Sequence, residues 1–281
     1  MGRTLTPPLR TFGHLGPLAK NRSSRPQEAN KYMLNNAHHK QHNPIVFIHG
    51  AGDSARIWRP QLQHFGPSRA IAIDLPGHGE RADSLPETAA VEEYARAVHE
   101  IVVGELGLDH PVIAGHSLGG AIALVMALEY GTELGGLILI GTGARMRVLP
   151  ELLEASRTMP QKATLQLKAM GMAATTPAIM PTELMDEQLT PGPNVLYRDL
   201  AACNSFDCMA RVGEISLPTL IICGAEDRST PVKYSQYLHG HIAGSILRII
   251  PDAGHYVLRE QPEAVNQAIE EWMQQQGHRR P

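Results

Sequence analysis

Cysteine is scarce in this 281-residue chain, which contains only three. Cys203, Cys208 and Cys223 are odd in number and form no Cys-x-x-Cys pair, and this pattern argues against a disulfide framework. We therefore expect buried thiols in a protein of a reducing compartment, and the cytoplasm is the simplest location.

Long apolar runs and an excess of one charge are also missing. No run reaches the roughly 18 residues that a membrane span requires, and the N-terminus lacks the compact apolar core of a signal peptide. The formal net charge is -3, so composition indicates neither a nucleic acid nor an anionic membrane as partner. Hydrophobic residues make up 43% of the chain, enough for a large core, and we expect a small-molecule partner. The sequence carries no signal for the oligomeric state.

The first 43 residues contain little that could form a core. They combine several prolines with seven basic residues and a single acidic one, which predicts a flexible N-terminal extension with residues 32–34 as its candidate strand. An arginine-rich, acid-poor start also fits a transit peptide. His38, His39 and His42 have no cysteine or carboxylate beside them, so we favour a solvated polar tract over a metal site.

From residue 44 onward, short β-branched apolar runs alternate with longer amphipathic ones, a pattern typical of an α/β fold with a mostly parallel sheet. The predicted strands span residues 45–48, 70–73, 111–114, 136–140, 219–223 and 245–250. The predicted helices span residues 57–64, 91–106, 118–130, 232–241 and 262–275. Such a sheet carries its chemistry at the carboxyl ends of its strands.

The alternation stops between residues 145 and 214, a segment that holds seven of the eleven methionines. It is too long for a connection between a strand and a helix, and its pieces 165–172 and 195–209 are typical of helices. We predict a helical cap over residues 145–214, inserted in a core formed by residues 44–144 and 215–281. Flexible methionine side chains would suit the core of this cap as well as the lining of a pocket.

A Gly-x-Ser-x-Gly motif at residues 115–119 stands between an apolar run and a helical run. This context is typical of a nucleophile elbow, a sharp turn that lifts the serine hydroxyl above the sheet in a strained backbone conformation. The two glycines are expected because strand and helix meet too closely to leave room for a Cβ. The alternative is a glycine-rich turn with an incidental serine, so the prediction of Ser117 as nucleophile depends on partners elsewhere.

A serine nucleophile requires a general base, and the base requires an acid that orients it. Asp227 and His255 each follow a predicted strand, and they come after Ser117 in the order serine, acid, histidine that nucleophile elbows show. Glu226 is the leading rival of Asp227, with Asp252 behind it. We predict a triad of Ser117, Asp227 and His255.

The oxyanion that forms during acyl transfer needs two hydrogen-bond donors placed in advance. One comes from the residue after the nucleophile, and the other comes from a loop after an early strand. The backbone N–H groups of Leu118 and Ala51 fit these two positions, since Ala51 lies in the short glycine-rich turn after the first clear strand. We expect His49 in that turn to be structural, and His116 to be a packing or polarity residue.

Together these features resemble the α/β-hydrolase superfamily over roughly residues 44–275. The resemblance implies an α/β-hydrolase fold, acyl hydrolysis through a covalent acyl-serine, and no cofactor or metal. Its serine separates the chain from the haloalkane dehalogenase and epoxide hydrolase branches, which use an aspartate nucleophile. The motifs that carry the resemblance are His49-Gly50, the Asp-Leu-Pro-Gly-His-Gly run at residues 74–79, the elbow at 115–119, the turn at 224–231, and Gly254-His255.

Within that family, a carboxylesterase acting on small to medium acyl esters is the function we predict. The centre of the predicted cap carries few charges, which favours an apolar acyl group over a phosphorylated or CoA-bearing one. Lactone, thioester and C–C bond hydrolysis and cofactor-free perhydrolysis use the same triad and stay open, although His116 replaces the asparagine common in C–C hydrolases. A non-catalytic ligand sensor of the same fold is the alternative from a different class.

Overall fold

The computed structural model describes residues 1–2, 43–178, 180, 184, 191 and 194–277. A six-stranded sheet forms the centre of the compact unit that spans residues 41–281. The strands are β1 (Ile45–Ile48), β2 (Ala70–Ile73), β3 (Val112–His116), β4 (Gly136–Ile140), β5 (Thr219–Gly224) and β6 (Ile246–Ile250). They lie in the order β2-β1-β3-β4-β5-β6, and each neighbouring pair is parallel. The predicted α/β architecture is confirmed, and three strands have the predicted bounds. The candidate strand at 32–34 and the histidines near residue 40 lie outside the described residues.

Helices connect the strands. They are α1 (Arg59–Phe65), α2 (Val91–His99), α3 (Leu118–Tyr130), α4 (Pro150–Thr158), α5 (Pro160–Gly171), α6 (Val195–Ser205), α7 (Val232–His241), α8 (Val257–Glu260) and α9 (Pro262–Gly277). A 3₁₀ turn precedes α1, and α2 continues into a π-helical turn. No helix in these described ranges is both long and apolar enough to cross a membrane.

Both faces of the sheet are covered, which is why its central strands read as continuous apolar runs. Alternate residues of β1 point to opposite faces. Val46 and Ile48 pack in a cluster that includes residues of α2 and α3. Ile45 and Phe47 pack in a second cluster that includes residues of α9. The sheet is therefore the middle of three layers.

Three α-helices with defined bounds lie between β4 and β5 in the part of the chain that the structure describes, and we call α4, α5 and α6 the insert helices. Two of them, α5 and α6, correspond to predicted helical pieces, with bounds shifted by several residues. The third, α4, was not predicted, although Pro150 at its first position is a helix-start signal.

The three cysteines are free and buried, as predicted. Burial raises the pKa of the Cys208 thiol to about 12. A buried thiol that stays protonated is a poor nucleophile, so Cys208 packs as a small apolar side chain.

Candidate active site

Ser117 lies in the turn between β3 and α3 with a φ of 53° and a ψ of -115°. Residues other than glycine rarely adopt this backbone conformation, which costs about 1–3 kcal/mol. The strand beside it holds the turn, because the Ser117 N–H donates to the carbonyl of Ile140 at 3.0 Å. The Thr142 hydroxyl donates to the Ser117 carbonyl at 2.9 Å. The strained elbow expected from the motif is present.

The two motif glycines lie where backbones approach closely. A Cβ on Gly115 would lie 2.1 Å from the carbonyl oxygen of Gly119, and a Cβ on Gly119 would lie 2.3 Å from the carbonyl oxygen of Ile48. Backbone atoms cannot move aside as a flexible side chain can, so the steric reason predicted for both glycines is confirmed.

We expect Gly115→Ala to destabilise the protein by about 1–3 kcal/mol, because the added methyl forces β3 and α3 apart. Urea unfolding of the purified variant measures this loss. Gly131→Ala is the matched control, since Gly131 has a helical φ of -55° and a Cβ there meets nothing within 4 Å. Equal unfolding midpoints for Gly115→Ala and wild type would contradict the steric account.

Asp227 and His255 meet at the carboxyl ends of β5 and β6. The ring nitrogen Nδ1 of His255 lies 2.9 Å from Oδ2 of Asp227, and both side chains are buried. Because a carboxylate only accepts, Nδ1 carries the proton and Nε2 is left as the basic nitrogen. Asp227 and His255, the predicted acid and base of the triad, are therefore hydrogen-bonded to each other. His255 has the tautomer that a general base requires.

Among the described residues, neither rival carboxylate forms a hydrogen bond with His255. Glu226 accepts from the N–H of Ala174 at 3.0 Å, and Asp252 is exposed in the turn before His255. Of the three candidates, Asp227 alone is placed to orient the imidazole.

The loop after β5 supplies Asp227 with further donors that the sequence reasoning did not identify. Oδ1 accepts from the N–H groups of Ser229 and Thr230 at 2.9 and 2.8 Å. The Thr230 hydroxyl donates to Oδ2 at 2.8 Å. The local signal was an aspartate followed within three residues by hydroxyl side chains, a common turn in which the carboxylate accepts from the backbone.

Burial and the interaction between Asp227 and His255 have opposite effects on the pKa of each side chain. Burial alone lowers the pKa of His255, but the charge of Asp227 and their hydrogen bond raise this pKa above its ordinary value of 6.5. Burial alone raises the pKa of Asp227, but His255 and the bonds from Thr230 hold it below its ordinary value of 3.8. Asp227 thus stays ionised at neutral pH and stabilises the protonated form of His255.

The backbone of His255 is held on both sides. Its N–H donates to the carbonyl of Gly171, the last residue of α5, at 2.6 Å. Its carbonyl accepts from Nε2 of His116 at 2.9 Å. Burial, followed by the charge of His255, lowers the pKa of His116 to about 3, so His116 stays neutral. These contacts are consistent with the polarity role expected for His116.

The glycine turn, which we define as residues 50–53, lies beside the elbow. A Cβ on Gly50 would lie 3.2 Å from Cβ of Ser117. The turn is closed by a bond from the Asp53 N–H to the Gly50 carbonyl at 3.2 Å. Ala51, in its middle, lines the same cavity as Ser117, and Leu118 is the first residue of α3, where an N–H has no partner within the helix. Ala51 therefore shares a cavity wall with Ser117 and Leu118 follows Ser117 in the chain, and their roles as oxyanion donors stay predictions.

His49 before this turn is fully buried and holds the loop as expected. Nδ1 donates to the Gly50 carbonyl at 2.8 Å, and Nε2 accepts from the Leu75 N–H at 3.1 Å. Burial, followed by the charge of His78, lowers the pKa of His49 to about 4. A neutral imidazole that uses both nitrogens in this way is structural.

A cavity of about 310 Å³ connects these residues, a size within the usual range for small-molecule sites. Ser117 and His255 both lie in its wall. Apolar side chains from all three insert helices form another part of the wall, namely Leu152, Leu167, Met170, Leu200 and Cys203.

The methionines of the insert divide between the two roles left open by the sequence. Met146 and Met170 line the cavity. Met172 is buried in the apolar cluster that includes α9. Both the pocket and the core therefore use flexible thioether side chains.

Comparison with known proteins identifies the class. A sequence model described as "Alpha/beta hydrolase family" matches residues 45–268, and the chain belongs to the α/β-hydrolase family. The sequence prediction of this family is confirmed, and the protein is a hydrolase of that fold.

Individual relatives narrow the comparison. The Escherichia coli (strain K12) protein named "Putative carbamate hydrolase RutD" is 27% identical over 234 residues, which cover 79% of this chain and 88% of that protein. The solved structure of a thermophilic esterase is 35% identical, with a TM-score of 0.72 over 83% of this chain and 90% of that one. Est816, described as an N-acyl homoserine lactone degrading enzyme, is 27% identical, with a TM-score of 0.71 over 82% of this chain and 92% of that one.

Proposed function

We propose that the protein is a serine hydrolase that cleaves carboxylic esters of small to medium acyl chain through a covalent acyl-serine. The observation that carries the proposal is the arrangement around the cavity. Ser117, in a strained elbow, shares the cavity wall with His255, whose other ring nitrogen is bonded to the buried carboxylate of Asp227.

In the first half of the reaction, Nε2 of His255 takes the hydroxyl proton as Ser117 attacks the ester carbonyl. The carbonyl oxygen becomes an oxyanion, and the N–H groups of Ala51 and Leu118 stabilise it. The tetrahedral intermediate then collapses, the bond to the leaving oxygen breaks, and His255 returns the proton to the departing alcohol. The acyl group remains on Ser117 as an ester.

The second half repeats these steps with water as the nucleophile. His255 takes a proton from the water, whose oxygen attacks the acyl carbonyl, and the second intermediate collapses to release the carboxylic acid. The proton returns to the oxygen of Ser117. Asp227 keeps the imidazole oriented throughout and stabilises its charged form without taking the proton.

We further propose that residues 145–214 act as a cap on a core of residues 44–144 and 215–281. The insert helices supply apolar side chains to the cavity wall on which the catalytic residues also lie. An acyl chain that packs against this apolar wall removes apolar area from water. Longer chains should therefore bind more tightly until they no longer fit the cavity.

A series of p-nitrophenyl esters of rising acyl length tests this function. We expect turnover of the short and medium esters, with an optimum of kcat/KM followed by a decline once the chain no longer fits a cavity of about 310 Å³. The control is Leu152→Trp, which narrows the apolar wall and should move the optimum to shorter chains. If wild type hydrolyses no ester of the series, the esterase proposal fails, and lactone hydrolysis, C–C bond hydrolysis and non-catalytic ligand binding become the hypotheses to test.

Lactones and carbamates are the second candidate substrates. Their support is the similarity to Est816 and to the RutD protein over most of their lengths, and attack by a serine on either carbonyl would use the same residues. Panels of lactones and carbamates assayed beside the esters distinguish the three substrate classes, because the physiological class should give the highest kcat/KM.

A further inference from the structure

Two insert helices contact consecutive residues of the glycine turn. The carboxylate of Asp199, on α6, accepts from the N–H of Gly52 at 3.0 Å across 147 residues of sequence. The ammonium of Lys168, on α5, donates to the carboxylate of Asp53. Gly52 and Asp53 immediately follow Ala51. Side chains of the insert helices therefore hold the backbone that presents the proposed oxyanion donor.

Asp199 is a fixed acceptor. It is fully buried, and besides Gly52 it accepts from Nε2 of His78 at 2.8 Å and from the hydroxyl of Tyr94. Burial alone raises the pKa of Asp199, but the charge of His78 and the hydrogen bonds hold it below its ordinary value. Its carboxylate therefore stays charged, and a charged acceptor forms stronger hydrogen bonds than a neutral one.

The pair of Lys168 and Asp53 is also buried, with each side chain about 1% exposed. The Lys168 ammonium lies 5.2 Å from the centre of the Tyr256 ring. The second oxygen of Asp53 has no hydrogen-bond partner within the described chain. A buried ion pair with one oxygen unsatisfied is a poor source of stability, since apolar residues of similar volume often do as well or better.

These contacts are therefore better explained by the placement of the glycine turn than by a contribution to the stability of the fold. An oxyanion hole works only if its donors already point to where the charge develops, and a small displacement weakens them. The glycine turn carries few side chains that could pack it into place. Besides the bonds from His49 and from the Asp53 N–H to the Gly50 carbonyl, its direction is fixed from the insert by a hydrogen bond to Gly52 and an ion pair at Asp53.

We infer that Asp199 and Lys168 are positioning residues that hold the Ala51 N–H toward the oxyanion, so that transition-state stabilisation depends on α5 and α6 being docked. The inference rests on the proposed function. If it holds, the insert contributes to the rate of the chemical step as well as to the acyl pocket.

The test measures kcat and KM with p-nitrophenyl butyrate for Asp199→Ala and for the double variant Asp53→Asn/Lys168→Met. The double variant removes both charges of the pair, so no unpaired charge is left buried. If Asp199→Ala does not fold, the double variant alone tests the inference. Inhibition by a trifluoromethyl ketone is measured in parallel, because its adduct with a serine carries an oxyanion and reports on the donors directly.

We expect kcat to fall roughly 10- to 100-fold with KM nearly unchanged, below the 10²- to 10³-fold cost of losing an oxyanion donor outright. The inhibition constant of the ketone should rise by a similar factor. Asp83→Asn is the matched control. It weakens an ion pair in which Nη1 of Arg198, on α6, donates to both carboxylate oxygens of Asp83 at 2.9 Å. The glycine turn is not touched, and kcat should stay close to wild type.

A raised KM with unchanged kcat in the test variants would overturn the inference, because the contacts would then serve substrate binding alone. A loss of kcat in Asp83→Asn equal to that in Asp199→Ala would also overturn it, since any loosening of α6 would suffice. Absence of all ester turnover by wild type would instead defeat the proposed function itself, and the inference with it.

Discussion

Ser117→Ala is expected to lose roughly 10⁴-fold or more of kcat on p-nitrophenyl esters while KM changes little. The variant keeps the cavity and the proposed oxyanion donors, so substrate still binds. It lacks the oxygen that forms the acyl intermediate, and water must attack without covalent catalysis. The measurement is steady-state hydrolysis of the best ester of the series, with thermal unfolding as the check that the variant is folded.

Ser68→Ala is the matched control for that variant. Ser68 is exposed in the turn before β2 and does not line the cavity, so the same chemical change there should leave kcat as in wild type. Retention of a tenth or more of the activity by Ser117→Ala would show that another group is the nucleophile.

Asp227→Asn is expected to lower kcat by about 10⁴-fold. An amide in place of the carboxylate presents a donor or a weaker acceptor to Nδ1 of His255, so the imidazole adopts the wrong tautomer and Nε2 no longer accepts a proton. The backbone donors of Ser229 and Thr230 still have one oxygen to bind, which should keep the loop folded. Steady-state kinetics measure the loss.

The pH dependence of kcat/KM separates this role from a structural one. The active form of His255 is neutral, so activity falls as pH drops through its pKa, which Asp227 raises above 6.5 against the effect of burial. We expect the acid limb of wild type to have its midpoint above pH 6.5 and that of Asp227→Asn to lie lower. Glu226→Gln is the control and should retain the wild-type profile. A large loss in Glu226→Gln with little loss in Asp227→Asn would reverse the assignment.

The sheet and the elbow could be predicted because their physical causes are local. Buried parallel strands need continuous β-branched apolar runs, and all six strands have observed bounds within two residues of the predicted ones. The elbow needs glycine at positions 115 and 119 because a Cβ would meet backbone atoms. Asp227 and His255 were then predicted because each follows a strand and because they come after Ser117 in the order serine, acid, histidine that nucleophile elbows show.

The contacts of the glycine turn could not be predicted in the same way. Gly52 and Asp199 are 147 residues apart, and Asp53 and Lys168 are 115 apart. No periodicity links such positions, since their contact depends on how the insert helices pack on the core. Thr230 is an intermediate case, because its contact with Asp227 lies within three residues and follows a known turn pattern.

Labelling with an alkyl fluorophosphonate tests the central claim most directly, because this reagent forms a stable ester only with an activated serine. We predict one adduct per chain on the peptide that contains Ser117, absent from Ser117→Ala and strongly slowed in His255→Ala. Labelling of a different residue, or no labelling of a wild-type protein that hydrolyses esters, would contradict the account.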